Sequence, residues 1–308
     1  PAVRRLLASI RDKVAEGHKF SEALNESGKA FSPLYRSVVS AGEVSGNLGQ
    51  VLERLAIYLE KSLKTKRKVQ TALIYPAVLA FVALAVITLL MIFVVPRIVT
   101  QFESFEQDLP LLTQIVIGIS EFMQSWGLVT VAVLFAITFV LRRLAAQPPI
   151  KRRLDTFWLG VPVIGKLVQM INSARFARTF AMLLESRTPV TDALAAARGS
   201  LGNLVFVDAL DTVIQSVQEG APPASALAKV GVFPPMLTHL AASGAASGNL
   251  AELMGRGADY LEDEFDGASG LALGLLEPFV ILLLGGLVAL IVLSIMLPIM
   301  QLNTIAFG

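Results

Sequence analysis

The residues most suggestive of chemistry are 160–166, GVPVIGK, whose spacing fits the G-x-x-x-x-G-K pattern of a phosphate-binding loop. Such a loop needs Ser or Thr after its lysine to bind magnesium, and this chain has Leu167 there. A strand should also precede the loop, whereas the upstream segment is a basic stretch that contains Trp158. The sequence therefore predicts a turn near a membrane surface and no nucleotide site.

No other side chains combine into a familiar catalytic or metal-binding pattern. The chain has no cysteine, which excludes disulfides and thiolate metal sites, and its two histidines, His18 and His239, are far apart in sequence. Glu277 lies inside an apolar run, where an acid can mark a proton pathway. Its position near the start of that run favours a structural or packing role. We therefore predict that the chain is not an enzyme.

The chain is too apolar for an ordinary soluble protein. Its 308 residues are 54% hydrophobic and 16% charged, whereas soluble domains have about 25% charged residues. A bilayer-spanning helix needs about 20 apolar residues, and three runs reach that length: residues 71–96, 122–141 and 271–297. We expect an all-α polytopic membrane protein with three transmembrane helices.

Basic residues beside these runs predict the direction of each crossing, because cytoplasmic flanks are enriched in Lys and Arg. KSLKTKRK precedes the first run, and a second basic cluster follows the second run. The loop between them, residues 97–121, is acidic. We predict that this loop and the tail, 298–308, are periplasmic and that 1–70 and 142–270 are cytoplasmic. The basic runs lack interleaved aromatics, so we expect contact with the lipid bilayer and no nucleic-acid binding.

A long internal repeat organises the chain. GEVSGNL at 42–48 recurs as GAASGNL at 244–250, and this offset of 202 residues (244 minus 42) persists without gaps on both sides. Pro76 and Pro278 match near the start of the first and third apolar runs. Each copy is then a helical cytoplasmic domain followed by a span, so the second run provides the return crossing.

Each copy of the repeated motif predicts a tight turn before an amphipathic helix, with a positive φ at Gly46 and Gly248. Glu43 has no acidic counterpart, because Ala245 replaces it. Pairing with a basic group of a partner and capping of a helix are both open roles for this carboxylate. The candidate partner-binding or structural residues are Gly42, Glu43, Ser45, Gly46, Gly244, Ser247 and Gly248, with Pro76, Glu277 and Pro278 at the spans.

These motifs resemble the F component of the inner-membrane platform of type II secretion systems (general secretion pathway protein F), a family related to the platform proteins of type IV pilus assembly. The resemblance extends over essentially the whole chain. It is carried by SAGEVSGNL at 40–48, YP at 75–76, VVPRIVTQF at 94–102, VPVIGKL at 161–167, ARFARTFAMLL at 174–184, FPPMLTHLAASG at 233–244 and LEP at 276–278. LPLLTQ and LPIMQLNT are more similar to the secretion branch.

The resemblance implies two cytoplasmic helical-bundle domains, self-association, and contacts with a cytosolic assembly ATPase, bitopic inner-membrane platform proteins and pseudopilins. Because Arg175 would map before residue 1, and the chain opens with Pro1, we expect the first domain to be truncated at its N-terminus. Some members bind calcium through acids after the SGNL turn. Glu53 matches one such position, but Ile57 replaces an Asp, so calcium is possible and no cofactor is firmly implied.

The sequence thus favours a platform protein of type II secretion that couples the ATPase to pseudopilus assembly and protein export. One alternative is a type IV pilus assembly platform protein, which would have the same architecture. An alternative of another class is a secondary transporter built from repeats. The small number of spans and the large cytoplasmic domains are atypical of such a transporter.

Overall fold

The computed structural model describes residues 2–27, 30–96, 110–145 and 147–306, and all regular structure in these ranges is helical. The predicted all-α class is therefore confirmed. The helices are α1 (Ala2–Ala15), α2 (Phe20–Glu26), α3 (Pro33–Val44), α4 (Leu48–Leu89), α5 (Leu111–Ala145), α6 (Pro148–Gly160), α7 (Ile164–Glu185), α8 (Val190–Arg198), α9 (Leu204–Gln218), α10 (Pro223–Lys229), α11 (Pro235–Ser247) and α12 (Leu250–Ala306). A short π-helical segment, Leu90–Val94, follows α4.

The internal repeat is visible in the order of the helices. Helices α1 to α4 correspond to α9 to α12, and three of these four pairs begin 202 residues apart. The second copy is preceded by two further helices, α7 and α8. The constant offset found in the sequence therefore relates each helix of the first copy to one helix of the second copy, in the same order.

The first of two compact units comprises residues 1–66 and 145–269. Four phenylalanine rings pack together at its centre, with centroid distances of 5.5 Å for Phe176 and Phe180, 4.9 Å for Phe176 and Phe233, and 5.5 Å for Phe206 and Phe233. Burying one such ring contributes about 1.5–3 kcal/mol. Helix α3 packs against both α7 and α8. Buried residues of both repeat copies, among them Val51 and Met254, belong to this core.

The second unit comprises residues 67–144 and 270–308, to which α4, α5 and α12 contribute. Two helical segments that contribute to this unit, Leu48–Val94 and Leu250–Leu297, are long and apolar enough to cross a membrane. A third candidate is α5, whose parts Leu111–Gly127 and Val129–Arg143 are bent by 67°. The bent pair Pro149–Gly160 and Ile164–Glu185 would be a fourth, but α7 contributes eleven buried residues to the first unit.

Helix α5 extends beyond the predicted boundaries of the second span, because residues 111–121, which we expected in a loop, are helical. Two polar side chains in this part of α5 explain the difference. The Thr113 hydroxyl donates a hydrogen bond to the Ser294 carbonyl at 2.7 Å, and the Ser120 hydroxyl donates to the Met91 carbonyl. Both hydroxyl-bearing residues are buried, and their hydrogen bonds reach other helices. The rest of the predicted loop, 97–109, lies outside the described residues.

Helix α12 likewise continues through residues 298–306, where the sequence predicted a separate tail. The end of the apolar run therefore marks a change in composition within one helix.

Candidate functional site

The first repeated turn joins α3 to α4 by a Schellman motif. The Gly46 N–H donates to the Glu43 carbonyl at 3.2 Å, and the Asn47 N–H donates to the Gly42 carbonyl at 3.0 Å. Gly46 has φ +72°, as expected for the residue that ends such a helix. The Ser45 hydroxyl also donates to the Gly42 carbonyl at 3.2 Å. These bonds satisfy backbone carbonyls at the end of α3 and fix the direction in which α4 leaves.

Gly42 serves a different purpose from Gly46, because it lets the next helix approach. A β-carbon at Gly42 would lie 3.0 Å from the β-carbon of buried Val51. At the matching Gly244, a β-carbon would lie 2.8 Å from the backbone α-carbon of Leu250. In each repeat, the glycine four residues before the turn glycine allows two consecutive helices to pack closely.

The second turn, between α11 and α12, has the same backbone conformation at its glycine. Gly248 has φ +74° and ends α11. The Ser247 hydroxyl donates to the Ser243 carbonyl at 2.9 Å and to the Gly244 carbonyl at 3.5 Å. Residues 245–249 are all exposed. The serine and glycines of the motif therefore have structural roles in both copies, while the second turn also presents a free surface.

Glu43 caps the start of α2. Its carboxylate accepts hydrogen bonds from the Phe20 N–H at 2.7 Å, the Ser21 N–H at 3.1 Å and the Ser21 hydroxyl at 2.6 Å. Burial acts to raise the pKa of Glu43, but the hydrogen bonds from Ser21 and Phe20 and the charge of Lys19 outweigh it and lower the pKa. Between the two roles left open by the sequence, the observed contacts are those of a helix cap.

The second repeat lacks both the carboxylate and its donors. The residues that match Phe20 and Ser21 are Pro222 and Pro223, which have no N–H. Ala245 then replaces Glu43 without leaving an unpaired donor. The departure at Ala245, which the sequence could note but not explain, follows from the proline pair that begins α10.

The first turn also contacts the end of α7, a connection that sequence reasoning missed. The Asn47 amide donates to the Ser186 carbonyl at 2.9 Å, and Arg54 forms an ion pair with Glu185. Asn47 and Ser186 are 139 residues apart in the chain. No local pattern could therefore have indicated that this turn and the end of α7 meet.

The end of α7 is another Schellman motif, and it contains Arg187 with φ +60°. The Arg187 N–H donates to the Leu184 carbonyl at 2.9 Å, and the Thr188 N–H donates to the Leu183 carbonyl at 3.0 Å. Arg187 adopts the conformation that glycine favours, and the hydroxyl of buried Thr188 has no hydrogen-bond partner within the part of the chain that the structure describes.

An ion-pair cluster connects α4, α7 and α12 within the first unit. Arg178 bonds Glu262 through Nε at 3.1 Å and also pairs with Asp259, while Lys61 lies 2.6 Å from Glu262. Burial acts to lower the pKa of Arg178, but the hydrogen bonds and charges of Glu262 and Asp259 raise it overall. A cavity of about 330 Å³ adjoins this cluster. The charged residues that line the cavity are three basic ones, Arg54, Lys61 and Arg178, and two acidic ones, Glu185 and Asp259, so its formal charge is +1.

The run that resembled a phosphate-binding loop is a corner between two helices. Helix α6 precedes it, in place of the strand that nucleotide binding would need, and α7 follows at 112°. A β-carbon at Gly165 would lie 2.2 Å from the Leu159 carbonyl oxygen. Val163 has φ +70°, which is uncommon for a β-branched residue. Gly165 is therefore needed for close packing at this corner.

The remaining candidate residues are dispersed. Pro76 lies inside α4 and Pro278 inside α12, and both helices continue past their prolines. Glu277 is exposed. Glu53 is exposed on α4, and the described ranges contain no group of three or more His, Cys, Asp or Glu side chains that could hold a metal ion. Calcium binding at Glu53 stays a prediction.

Comparison with known proteins gives matches over both repeat copies. A family model described as "Type II secretion system (T2SS), protein F" matches residues 1–96 and 176–298, more than half of the chain. Type II secretion system protein F of Vibrio cholerae is 37% identical over 305 residues, covering 99% of this chain and 75% of that protein. The protein of the same name from Pseudomonas aeruginosa is 38% identical over 301 residues, covering 98% and 74%.

A pilus protein is similar to a slightly lower degree. Type IV pilus assembly protein PilC of Pseudomonas aeruginosa is 35% identical over 306 residues, covering 99% of this chain and 82% of that protein. The two stretches matched by the family model contain α1 to α4, α9 to α11, and α12 as far as residue 298. Both copies of the structural repeat therefore match the same family.

Proposed function

Because the chain belongs to the type II secretion system protein F family, we propose that it is an inner-membrane platform protein that couples a cytosolic assembly ATPase to pseudopilus assembly. The chain is a multi-pass membrane protein and not an enzyme, and its family implies partners within a secretion machine. The observation that carries the proposal is the match of both repeat copies to the family. The first unit has a hydrophobic core built from residues of both repeat copies, and one shared core supports a scaffold role.

The proposed topology has three spans, at 71–96, 122–141 and 271–297, and follows from the charges that flank them. Residues 1–70 and 142–270 are cytoplasmic, whereas 97–121 and 298–308 are periplasmic. The chain has no cysteine, so single cysteines can report accessibility directly. A membrane-impermeant thiol reagent applied to intact spheroplasts should label Gln107→Cys and should label His239→Cys only after lysis. The reverse pattern would contradict this orientation.

The proposed partners are the cytosolic ATPase, bitopic platform proteins, pseudopilins and a second copy of the chain. The second turn is the better candidate for a partner contact, because residues 245–249 are exposed. Ala246→Asp should reduce co-purification of the ATPase without changing membrane levels. The matched control is Val44→Asp, since Val44 is the exposed counterpart of Ala246 in the first repeat. Equal loss of the ATPase in both variants would argue against a specific role for the second turn.

Deletion of the gene tests the secretion role directly. A deletion strain should accumulate exoproteins in the periplasm, and the restored full-length gene should return them to the medium. Purification from membranes should recover the platform partners together with the ATPase. Normal secretion in the deletion strain would overturn the proposal.

A platform role in type IV pilus assembly is the second candidate, and the similarity to PilC favours it. The secretion relatives are slightly more similar at 37% and 38% identity, against 35% for that pilus protein. Loss of twitching motility and surface pili with intact exoprotein secretion would select the pilus role. Loss of secretion with intact pili would select the secretion role.

A further inference from the structure

Helix α6 is attached to the first unit by one of its faces. The Asp155 carboxylate accepts a hydrogen bond from the Leu204 N–H at 2.7 Å, at the start of α9. Arg152 pairs with Asp208 at 3.0 Å, and Leu159 packs against the hydrophobic core. These three contacts fix the rotation of α6 about its own axis. The face it turns outward is therefore determined by the fold.

That outward face is apolar. Leu154, Phe157 and Trp158 have exposed fractions of 37%, 65% and 44%, and their i, i+3, i+4 spacing places them together. Ile150, which is half-buried, lies on the same side of the helix. The Phe157 and Trp158 rings meet edge to face at a centroid distance of 5.8 Å. Exposing several large apolar side chains side by side indicates a surface that another apolar phase covers.

Basic residues border this apolar face on both sides. With 3.6 residues per turn, Lys151 falls on one border and Arg153 on the other. Neither makes an ion pair among the residues that the structure describes, in contrast to Arg152. Basic residues beside a face that contains Trp and Phe are typical of helices lying in the lipid interface. There the long side chains reach lipid phosphates while their methylene stems remain on apolar surface.

The connection to α5 places this helix beside a membrane. Two residues separate the last residue of α5, Ala145, from the first residue of α6, Pro148. Helix α5 ends with Arg142 and Arg143, which are suited to the headgroup region. Helix α6 therefore begins within about 10 Å of the end of α5, the reach of three extended residues.

We propose that α6 is an interfacial helix: Leu154, Phe157 and Trp158 insert among the headgroups and upper acyl chains of an anionic leaflet, and Lys151 and Arg153 contact its phosphates. This role requires only that the chain is embedded in a membrane, and it is independent of secretion and of the direction of the spans. It restrains the first unit at the membrane surface in addition to the covalent attachment through the spans.

Trp158 itself provides the test. The chain has two tryptophans, so Trp126→Phe leaves Trp158 as the single reporter in proteoliposomes containing phosphatidylglycerol. Lipids brominated near the headgroup should quench its emission about twofold more than lipids brominated near the chain end, as shallow insertion requires. An exposed reporter, His239→Trp in a chain lacking both native tryptophans, should show little quenching by either lipid.

Substitutions at neighbouring positions test whether the apolar face, and not the rest of α6, is responsible for the quenching. Phe157→Asp should reduce quenching of Trp158, whereas Thr156→Asp, the same change on a neighbouring exposed residue, should leave it unaltered. Lys151→Gln combined with Arg153→Gln should remove the dependence of quenching on phosphatidylglycerol. Quenching no greater than at position 239 would overturn the proposal. The proposal would also be overturned if Trp158 were protected from an aqueous quencher but not quenched by brominated lipid. That result would indicate a protein partner on this face.

Discussion

The two copies of the repeated turn share a backbone conformation but have different surroundings. Gly46 and Gly248 have φ values of +72° and +74°. In the first copy, Asn47 donates to the Ser186 carbonyl and Glu43 caps α2. In the second copy, residues 245–249 are exposed. The repeat has kept the conformation that joins two helices, while the side chains of each copy match their own neighbours.

The pair of changes at Glu43 illustrates how such matching works. An acceptor is present where Phe20 and Ser21 supply N–H donors, and it is absent where two prolines supply none. The carboxylate without its donors, or the donors without the carboxylate, would leave buried or partly buried polar groups unsatisfied. Each unsatisfied group costs about 1–3 kcal/mol. Differences between repeat copies are therefore best interpreted together with the residues that each copy contacts.

The largest effect is expected at the glycines that allow close helix packing. Gly244→Ala should destabilise the protein by about 2–3 kcal/mol, because its new methyl would meet the backbone of Leu250. Gly42→Ala should cost less, about 1–2 kcal/mol, because it meets the side chain of Val51. Thermal unfolding in detergent would measure both. Gly49→Ala is the control, since a methyl there meets nothing within 4 Å.

Removing the cap on α2 should have the next largest effect. Glu43→Gln should destabilise the protein by about 1–2 kcal/mol, because an amide cannot accept all three hydrogen bonds, with solvent screening reducing the effect of the lost charge. The reciprocal change, Ala245→Glu, should give no stabilisation because Pro222 and Pro223 have no N–H to donate. Denaturant unfolding of both variants would measure this contrast, and a clear gain from Ala245→Glu would contradict the explanation.

The same carboxylate predicts a dependence on pH. The pKa of Glu43 is lower in the folded protein than its ordinary value of 4.5. Its contribution to stability is therefore present above that ordinary value and is lost as the pH falls through the lowered pKa. The difference in unfolding free energy between the native protein and Glu43→Gln should be constant at neutral pH and should shrink in acid.

Substitution at the turn glycines should affect the two copies equally. Gly46→Ala and Gly248→Ala should each cost about 1 kcal/mol, because an L side chain is disfavoured at positive φ and neither new methyl meets a neighbour. Parallel unfolding measurements on the two variants would show whether the costs agree. A cost several times greater at one position would mean that contacts beyond the glycine, such as that of Asn47 with Ser186, depend on its conformation.

The smallest expected effect is a gain in stability at the end of α7. Arg187→Gly should stabilise the protein by about 0.5–1 kcal/mol, since glycine adopts φ +60° without a steric penalty. Arg187→Ala retains the penalty and should give no such gain. Thr188→Val should add about 1 kcal/mol by removing a buried hydroxyl that lacks a partner in the described ranges. Small shifts in unfolding temperature would test all three.

Local sequence predicted a large part of this protein. The all-α class, the repeat and the positive φ values at Gly46 and Gly248 followed from composition, offset and turn chemistry. The helical state of residues 111–121 was missed because the loop was defined by its acidic residues and by the start of the apolar run, whereas Thr113 and Ser120 bond to residues far away in the chain. The role of Glu43 was left open for the same reason, because its donors are 22 and 23 residues away.

The sequence by itself determined the features that depend only on residues close together in the chain. The 202-residue offset, the apolar runs and the glycine after the serine of each motif depend on composition and on backbone sterics, which act within a few residues. The tertiary structure decided which side chains meet across long separations, such as Asn47 with Ser186 and Lys61 with Glu262. Those contacts depend on how helices pack, and packing depends on the summed shape of many side chains that no short segment contains.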